Sequence, residues 1–137
     1  MKQLLVLLAL VIFTNTIRAQ STFISSDNRQ SCYWDSTEQK FSLCEALEEF
    51  TSLFTLNAGE SMFVHTTPTM KSSYYVKSKT YSAETDTYSY DVLSDVGNKY
   101  QFILGKNAAN FVILSTGHAS SSQDYIMKFP IKKKWSE

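Results

Sequence analysis

The sequence predicts a mainly β protein, an antiparallel up-and-down meander of six to eight strands that forms a small closed or partly closed barrel, with one N-terminal amphipathic helix. Three strand-like runs, 87–93, 100–105 and 110–115, are separated only by short stretches that contain Asp, Gly and Asn. In the first run Tyr88, Tyr90 and Val92 alternate with polar residues, which is the period of a strand with one buried face. Eight Tyr and nine Phe further favour strands and an aromatic interior.

The N-terminus has the pattern of a secretory signal peptide, residues 1–19. Lys2 precedes an uncharged apolar run at 4–13, and Ala19 offers a small residue at the expected cleavage position. The run is shorter than the roughly 20 residues that a membrane span needs, and no other stretch approaches that length, so no transmembrane segment is predicted. An uncleaved anchor is the alternative. The predicted product is secreted and extracellular.

Residues 20–137 are expected to form a single β-rich domain. Removing 19 of the 137 residues leaves 118, which is enough for one hydrophobic core. Lys2 and Arg18 would leave with the signal peptide, so 11 basic and 13 acidic residues remain and the net charge is −2. A near-neutral chain of this kind is not expected to bind nucleic acid. The acids concentrate in residues 35–60 and the bases in residues 99–134.

The two cysteines, Cys32 and Cys44, are predicted to form a disulfide bond. In an oxidising compartment two cysteines most simply pair with each other, and closing so short a loop stabilises a fold by on the order of 3 kcal/mol. Two free thiols are the alternative. No histidine or further cysteine stands at metal-ligand spacing from either residue.

The helix is predicted at residues 42–56. Ser42 and Glu45 have the spacing of a capping box, and Asn57 begins a stop signal. The apolar residues that follow recur at steps of three and four and would form one stripe: Leu43, Ala46, Leu47, Phe50, Leu53 and Phe54. The polar stretch 20–30 before it is expected to be a mobile lead-in or a short edge strand.

Strands resume after the helix, at 61–66, 72–81, the three runs already described and 124–131. In the second of them Tyr74 and Val76 are expected to face inward, with Lys77 and Lys79 outward. Residues 116–123, rich in Ser, are expected to form a loop. Short successive loops predict neighbouring antiparallel strands, and closure into a barrel removes exposed edges.

No catalytic or metal-binding pattern emerges, so an enzyme, a cofactor and a metal site are not predicted. His65 and His118 are the only histidines, and neither has a Cys, Asp or Glu at ligand spacing. The sequence contains neither a nucleophile elbow nor a glycine-rich phosphate loop.

Two stretches resemble lipocalins, members of the calycin group of secreted β-barrels. Residues 92–103, Val-Leu-Ser-Asp-Val-Gly-Asn-Lys-Tyr-Gln-Phe-Ile, are similar to the second conserved stretch of that family, and 110–115 to the strand that follows it. The chain departs from the family in three respects: no Gly-x-Trp precedes the barrel, the arginine expected near Leu114 is absent, and 115–137 look extended where lipocalins have a helix. Another β-barrel or a sandwich is the alternative.

The lipocalin resemblance implies a small hydrophobic ligand held inside the barrel. The residues expected to line that site face inward on the strands: Tyr74, Val76, Tyr88, Tyr90, Val92, Tyr100, Phe102, Leu104, Phe111 and Ile113. An ordinary core would use the same residues. The alternative function is therefore a secreted protein-interaction module, an inhibitor, effector or receptor ligand, with no internal ligand. In either case the protein is expected to be a monomer.

Overall fold

The computed structural model describes residues 19–115 and 124–137, which form ten strands joined in one antiparallel sheet. The predicted signal peptide, apart from Ala19, and the predicted loop 116–123 lie outside these described residues. The strands are β1 (Thr22–Asp35), β2 (Lys40–Cys44), β3 (Glu48–Leu56), β4 (Met62–Thr66), β5 (Lys71–Ser82), β6 (Thr87–Ser94), β7 (Lys99–Gly105), β8 (Asn110–Ser115), β9 (Tyr125–Pro130) and β10 (Lys133–Ser136).

Eight of the strands close into a barrel in the order β1-β3-β4-β5-β6-β7-β8-β9, and β9 returns to β1. Closure depends on the length of β1, whose first half pairs with β3 while Gln30–Tyr33 pairs with β9. A register shift between Ser26 and Asn28 separates the two halves. The expectation of a lead-in or edge strand at 20–30 was therefore wrong, because this stretch has strand partners on both sides.

The remaining strands, β2 and β10, extend the sheet beside the barrel. β10 pairs with the beginning of β1, from Thr22 to Ser25, and β2 pairs with its end, from Cys32 to Asp35. Strands β2 and β3 follow each other along β1 and are separated by residues 45–47. Residues 22–56 thus form one long hairpin whose tip extends beyond the last residue that pairs with the barrel.

The predicted helix at 42–56 is wrong, since those residues form most of β2 and all of β3, and no helix occurs in the described residues. Within β3, Ser52, Phe54 and Leu56 alternate inward as a strand requires. Ser52 is a polar residue at a buried position, which interrupts the apolar alternation in the sequence. The same apolar residues also fit helical spacing, and pairing with β1 and β4 decides between the two patterns.

The meander from β4 to β9 confirms the six strands predicted after residue 60, with bounds that differ by at most one residue at each end. Lys79 is exposed, as expected of an outward lysine, but it lies on the face of Tyr90 and not on the predicted face of the strand. A β-bulge between Val76 and Ser78 shifts the register, so Lys79 pairs with the inward-facing Tyr90. An extra residue in one strand moves every later side chain to the other face. Lys77, which precedes this shift, is exposed.

The core is a continuous cluster inside the barrel, and five phenylalanines occupy it. Each is at most 1% exposed, and their rings contact one another in a chain. The centroid separations are 4.9 Å for Phe129–Phe54, 4.6 Å for Phe54–Phe111, 5.4 Å for Phe111–Phe102 and 5.0 Å for Phe102–Phe63. Such tilted and edge-on contacts are favourable aromatic geometry. An eight-stranded barrel is just wide enough for its side chains to fill.

Candidate functional site

All ten residues that the sequence proposed as a ligand lining lie in the core cluster. Six are buried, namely Tyr90, Val92, Phe102, Leu104, Phe111 and Ile113. The other four, Tyr74, Val76, Tyr88 and Tyr100, are partly buried and pack against them. The alternation of inward and outward residues in β5 to β8 brings them together. Phe102 and Phe111 belong to the chain of contacting rings, so this part of the lining packs on itself.

At one end of the barrel Tyr90 directs its hydroxyl to a carboxylate. The hydroxyl donates to Oε1 of Glu60 over 3.2 Å, and the other oxygen of Glu60 accepts from Lys79 Nζ at 2.6 Å. The Lys79 ammonium also lies 4.4 Å from the centroid of the Tyr88 ring. Burial, followed by the negative charge of Glu60, raises the pKa of Tyr90 above its usual value. The tyrosine hydroxyl is thus satisfied by the protein itself.

Two further inward tyrosines, Tyr74 and Tyr100, lie together with ring centroids 5.7 Å apart. Tyr74 also contacts the ring of Phe102 at 4.9 Å. Burial is the main cause that raises the pKa of both hydroxyls, and each tyrosine keeps its proton at neutral pH. These rings continue the aromatic core along the barrel from the phenylalanines.

Inside the barrel, Ser52 Oγ and His65 Nε2 form a hydrogen bond of 2.8 Å. The imidazole stacks on the Phe54 ring with centroids 4.2 Å apart. Burial, and to a lesser extent the charge of Arg29, lowers the pKa of His65 to about 4. A serine beside a histidine is also the arrangement of a hydrolytic nucleophile and its base, but here both side chains are buried and the imidazole packs against the rings of Phe54 and Phe129. The pair therefore serves as a satisfied polar contact in the core.

Three exposed apolar side chains, Trp34, Leu43 and Leu47, lie near the end of the long hairpin. We call residues 32–44 the disulfide hairpin, because Cys32 and Cys44 are directly opposite each other and form the predicted disulfide. Asp35 stabilises its turn: the carboxylate accepts hydrogen bonds from the amides of Thr37 and Glu38 at 2.8 and 3.2 Å. Cross-linked at its base and capped at its turn, the disulfide hairpin has little conformational freedom to lose.

Apolar side chains project from both faces of the disulfide hairpin and from the segment that follows it. Trp34 packs edge-on against Phe41 with centroids 5.1 Å apart and is still 38% exposed. Leu43 is 53% exposed and Leu47 is 55% exposed. Among the strands that the structure describes, β2 has only β1 as a neighbour, so its other edge is open. Exposed apolar residues grouped in this way mark interaction surfaces more often than solitary ones do.

Carboxylates surround this apolar surface. Asp35, Glu38, Glu45, Glu48 and Glu49 all belong to the hairpin or follow it directly. Two of them have basic partners in the protein: Glu48 pairs with Arg29, and Glu38 lies 3.2 Å from Lys40. The remaining carboxylates give the surface a negative rim, which favours a partner that carries positive charge.

The sequence predicted a site in the barrel interior and gave no indication of the exposed apolar residues on the disulfide hairpin. In the predicted helix, Leu43 and Leu47 belong to the apolar stripe and would be buried. The predicted disulfide was the one indication of a hairpin in the sequence, because a bridge between cysteines twelve positions apart can link the two strands of a hairpin.

Residues 19–115 and 124–137 contain no group of three or more His, Cys, Asp or Glu side chains placed to hold a metal ion. Within the same residues, no helix has the length and hydropathy to cross a membrane.

Comparisons with known proteins leave the family open. No family model, curated protein or solved structure matches the chain.

Proposed function

We propose that this is an extracellular binding protein that recognises another protein through the disulfide hairpin. The observation that carries the proposal is the grouping of Trp34, Leu43 and Leu47 as exposed residues on and beside a cross-linked hairpin. Tryptophan is enriched among the residues that dominate interface energies. A surface that is ordered before binding loses less entropy when the complex forms.

The partner that fits this surface is a protein with an apolar depression and a basic rim. The hairpin itself would enter the depression, with Trp34 on one of its faces and Leu43 on the other, and the carboxylates of Glu45 and Glu49 would face the basic residues. The open edge of β2 adds unpaired backbone groups that an extended segment of the partner can meet. A disulfide is typical of secreted proteins, which supports binding to the partner outside the cell.

The test is binding of fluorescently labelled protein to intact cells of the source organism. The variant Trp34→Ala/Leu43→Ser should bind at least roughly tenfold more weakly, since losing 1.4 kcal/mol already has that effect. The matched control Met70→Ser/Val96→Ser removes two other exposed apolar side chains, which lie in turns away from the hairpin, and should bind as the unmodified protein does. Circular dichroism and thermal unfolding establish that both variants fold. Equal binding by all three proteins would refute the proposal.

A small hydrophobic ligand inside the barrel is the second candidate function. It is favoured by the closure of eight antiparallel strands around all ten residues that the lipocalin resemblance implied. Kinship with the calycin group is part of this second proposal. The contacts between the five phenylalanine rings weigh against it, because a bound molecule would have to displace them. Mass spectrometry of small molecules extracted from protein purified from its native source distinguishes the two candidates.

A further inference from the structure

The outer wall of the barrel carries a second surface, on the strands β10, β1, β3, β4 and β5. Pairing aligns one residue from each of these strands in a row, and directly paired residues share a face of the sheet. The row is Lys133, Ser25, Leu53, Thr66 and Lys71. Four spacings of about 4.8 Å put the two lysines about 19 Å apart along the sheet. The flanking inward positions, such as Ile24 and Phe54, belong to the core, so this row faces solvent.

A second outward row runs beside the first, two residues further along each strand. It consists of Trp135, Phe23, Thr55, Val64 and Ser73. Phe23 and Trp135 stack with centroids 5.2 Å apart and an interplanar angle of 11°, and Lys133 Nζ lies 5.0 Å from the Trp135 ring. None of the ten residues in the two rows is acidic. We call these ten residues the lysine wall.

A cleft of about 430 Å³ indents the lysine wall at its first row. The exposed surface of the cleft is mostly apolar, although six of its eleven residues carry hydroxyl groups. The hydroxyls of Ser26 and Ser52 are buried and hydrogen-bonded within the protein. The lining comprises Ser25, Ser26, Asp27, Thr51, Ser52, Leu53, Thr66, Thr67, Pro68, Lys132 and Lys133. The one carboxylate, Asp27, is neutralised by Lys132 at 2.7 Å. The cleft therefore combines hydrogen-bonding hydroxyls with an ammonium group and a neighbouring aromatic pair.

We propose that the lysine wall binds an acidic polysaccharide, in particular a sulfated one. A linear anionic polymer can meet Lys133 and Lys71 at once and place a sugar ring in the cleft between them, whereas a single anion would reach only one lysine. Threonine and serine hydroxyls are suited to sugar hydroxyls and sulfate oxygens, and aromatic rings to the apolar faces of sugars. A flat lipid surface cannot follow the curved outer wall of the barrel and would leave the cleft and its hydroxyls unused.

This surface is separate from the disulfide hairpin, so the two proposals stand independently. The lysine wall consists of outward-facing residues, and those from β1 precede Asp27. The disulfide hairpin begins only at Cys32. Because the chain as a whole carries slightly more acid than base after residue 19, retention on an anionic polymer would have to come from a local surface and not from the net charge.

The experiment measures elution of the protein from immobilised heparin along a salt gradient. The unmodified protein should be retained, and Lys71→Glu/Lys133→Glu should lose retention. By the rule for counterion release, two lost contacts should also reduce the slope of log affinity against log salt by about two. The matched control Lys40→Glu/Lys106→Glu makes the same change in net charge at exposed lysines outside the wall, and it should remain retained.

A second readout tests whether sugar rings reach the wall. The chain has two tryptophans, so Trp34→Phe leaves Trp135 as the only indole. Titration with heparin oligosaccharides should change the fluorescence of this variant, and the change should vanish when Lys71 and Lys133 are also reversed. Loss of retention by both double variants, no retention of the unmodified protein, or binding to phosphatidylserine vesicles without binding to heparin would each overturn the proposal.

Discussion

Ser52 Oγ lies 2.8 Å from Nε2 of His65 in the interior of the barrel. The two residues come from neighbouring strands, β3 and β4, and both are buried. Each satisfies a polar atom that would otherwise cost roughly 1–3 kcal/mol on burial. The pair makes the stability of the fold sensitive to pH. Protonation would place a positive charge on His65 where water cannot solvate it and where the positive charge of Arg29 repels it.

Stability should fall as the pH is lowered from about 6.5 towards 4. The pKa of His65 is lowered to about 4 in the folded protein, from 6.5, so within this window the unfolded chain binds a proton that the folded chain does not. The associated loss is on the order of 2 to 3 kcal/mol. Urea unfolding should be measured in a His118→Gln background, which leaves His65 as the only histidine.

The matched control for this pH dependence is Ser52→Ala/His65→Phe in the same background. It retains a ring beside Phe54 and removes both polar partners at once, which can be nearly neutral for stability. Between pH 6.5 and 5, above the usual pKa range of carboxyl groups, the control should show a nearly flat profile. A decline as steep as that of the parent would assign the effect to other groups.

Replacing Glu60 by Ala should destabilise the barrel end near Tyr90. The change removes the acceptor of the Tyr90 hydroxyl and the partner of Lys79, and we expect a cost of about 1–2 kcal/mol in urea unfolding. Glu84→Ala, in the turn between β5 and β6, is the control and should stay within about 0.5 kcal/mol. In a Tyr90→Phe background the cost of Glu60→Ala should be smaller. An undiminished cost would show that the hydroxyl does not depend on Glu60.

We expect the unmodified protein to show no saturable uptake of a fluorescent fatty acid at micromolar concentration. The physical reason is the contact of Phe102 with Phe63 and Phe111 in the centre of the barrel. Phe102→Ala should cost about 3–5 kcal/mol through the lost ring and the cavity it leaves. Saturable binding by the unmodified protein that Tyr90→Phe or Phe102→Ala abolishes without unfolding would establish the carrier function instead.

Removing the disulfide should weaken both the fold and the hairpin. Cys32→Ala/Cys44→Ala opens a loop with a sequence separation of 12, and we expect about 3 kcal/mol of lost stability in urea unfolding. Amide hydrogen exchange in residues 33–43 should accelerate more than exchange in β7 and β8, because the hairpin tip pairs with fewer strands. Uniform acceleration along the whole chain would contradict a local role for the bridge.

The sequence by itself determined the strands from β4 to β9. Most of these strands pair with the next strand along the chain through a short connection. The alternation of residues within each strand and the turn residues between strands are therefore enough to predict them. Tyr88, Tyr90 and Val92 illustrate this: they alternate with polar residues, and the structure places all three in the core cluster. The pairing of Cys32 with Cys44 was also accessible, since the sequence contains no other cysteine.

Only the tertiary structure decided the conformation of residues 42–56 and the direction of Lys79. Ser52 looks like a surface residue until the pairing of β3 with β4 brings His65 within hydrogen-bonding distance of it. This polar inward position made a strand resemble a helix. Lys79 faces Tyr90 because the pairing of β5 with β6 contains a bulge. A lysine at position 77 gives no sign of a bulge in the sequence. Whether the ten inward residues enclose a cavity or fill it depends on how their rings pack against each other across the barrel, which the sequence does not specify. Trp34 and Leu43 are exposed because β9 pairs with β1 only as far as Tyr33 and because β2 has no strand on its other side among the described residues.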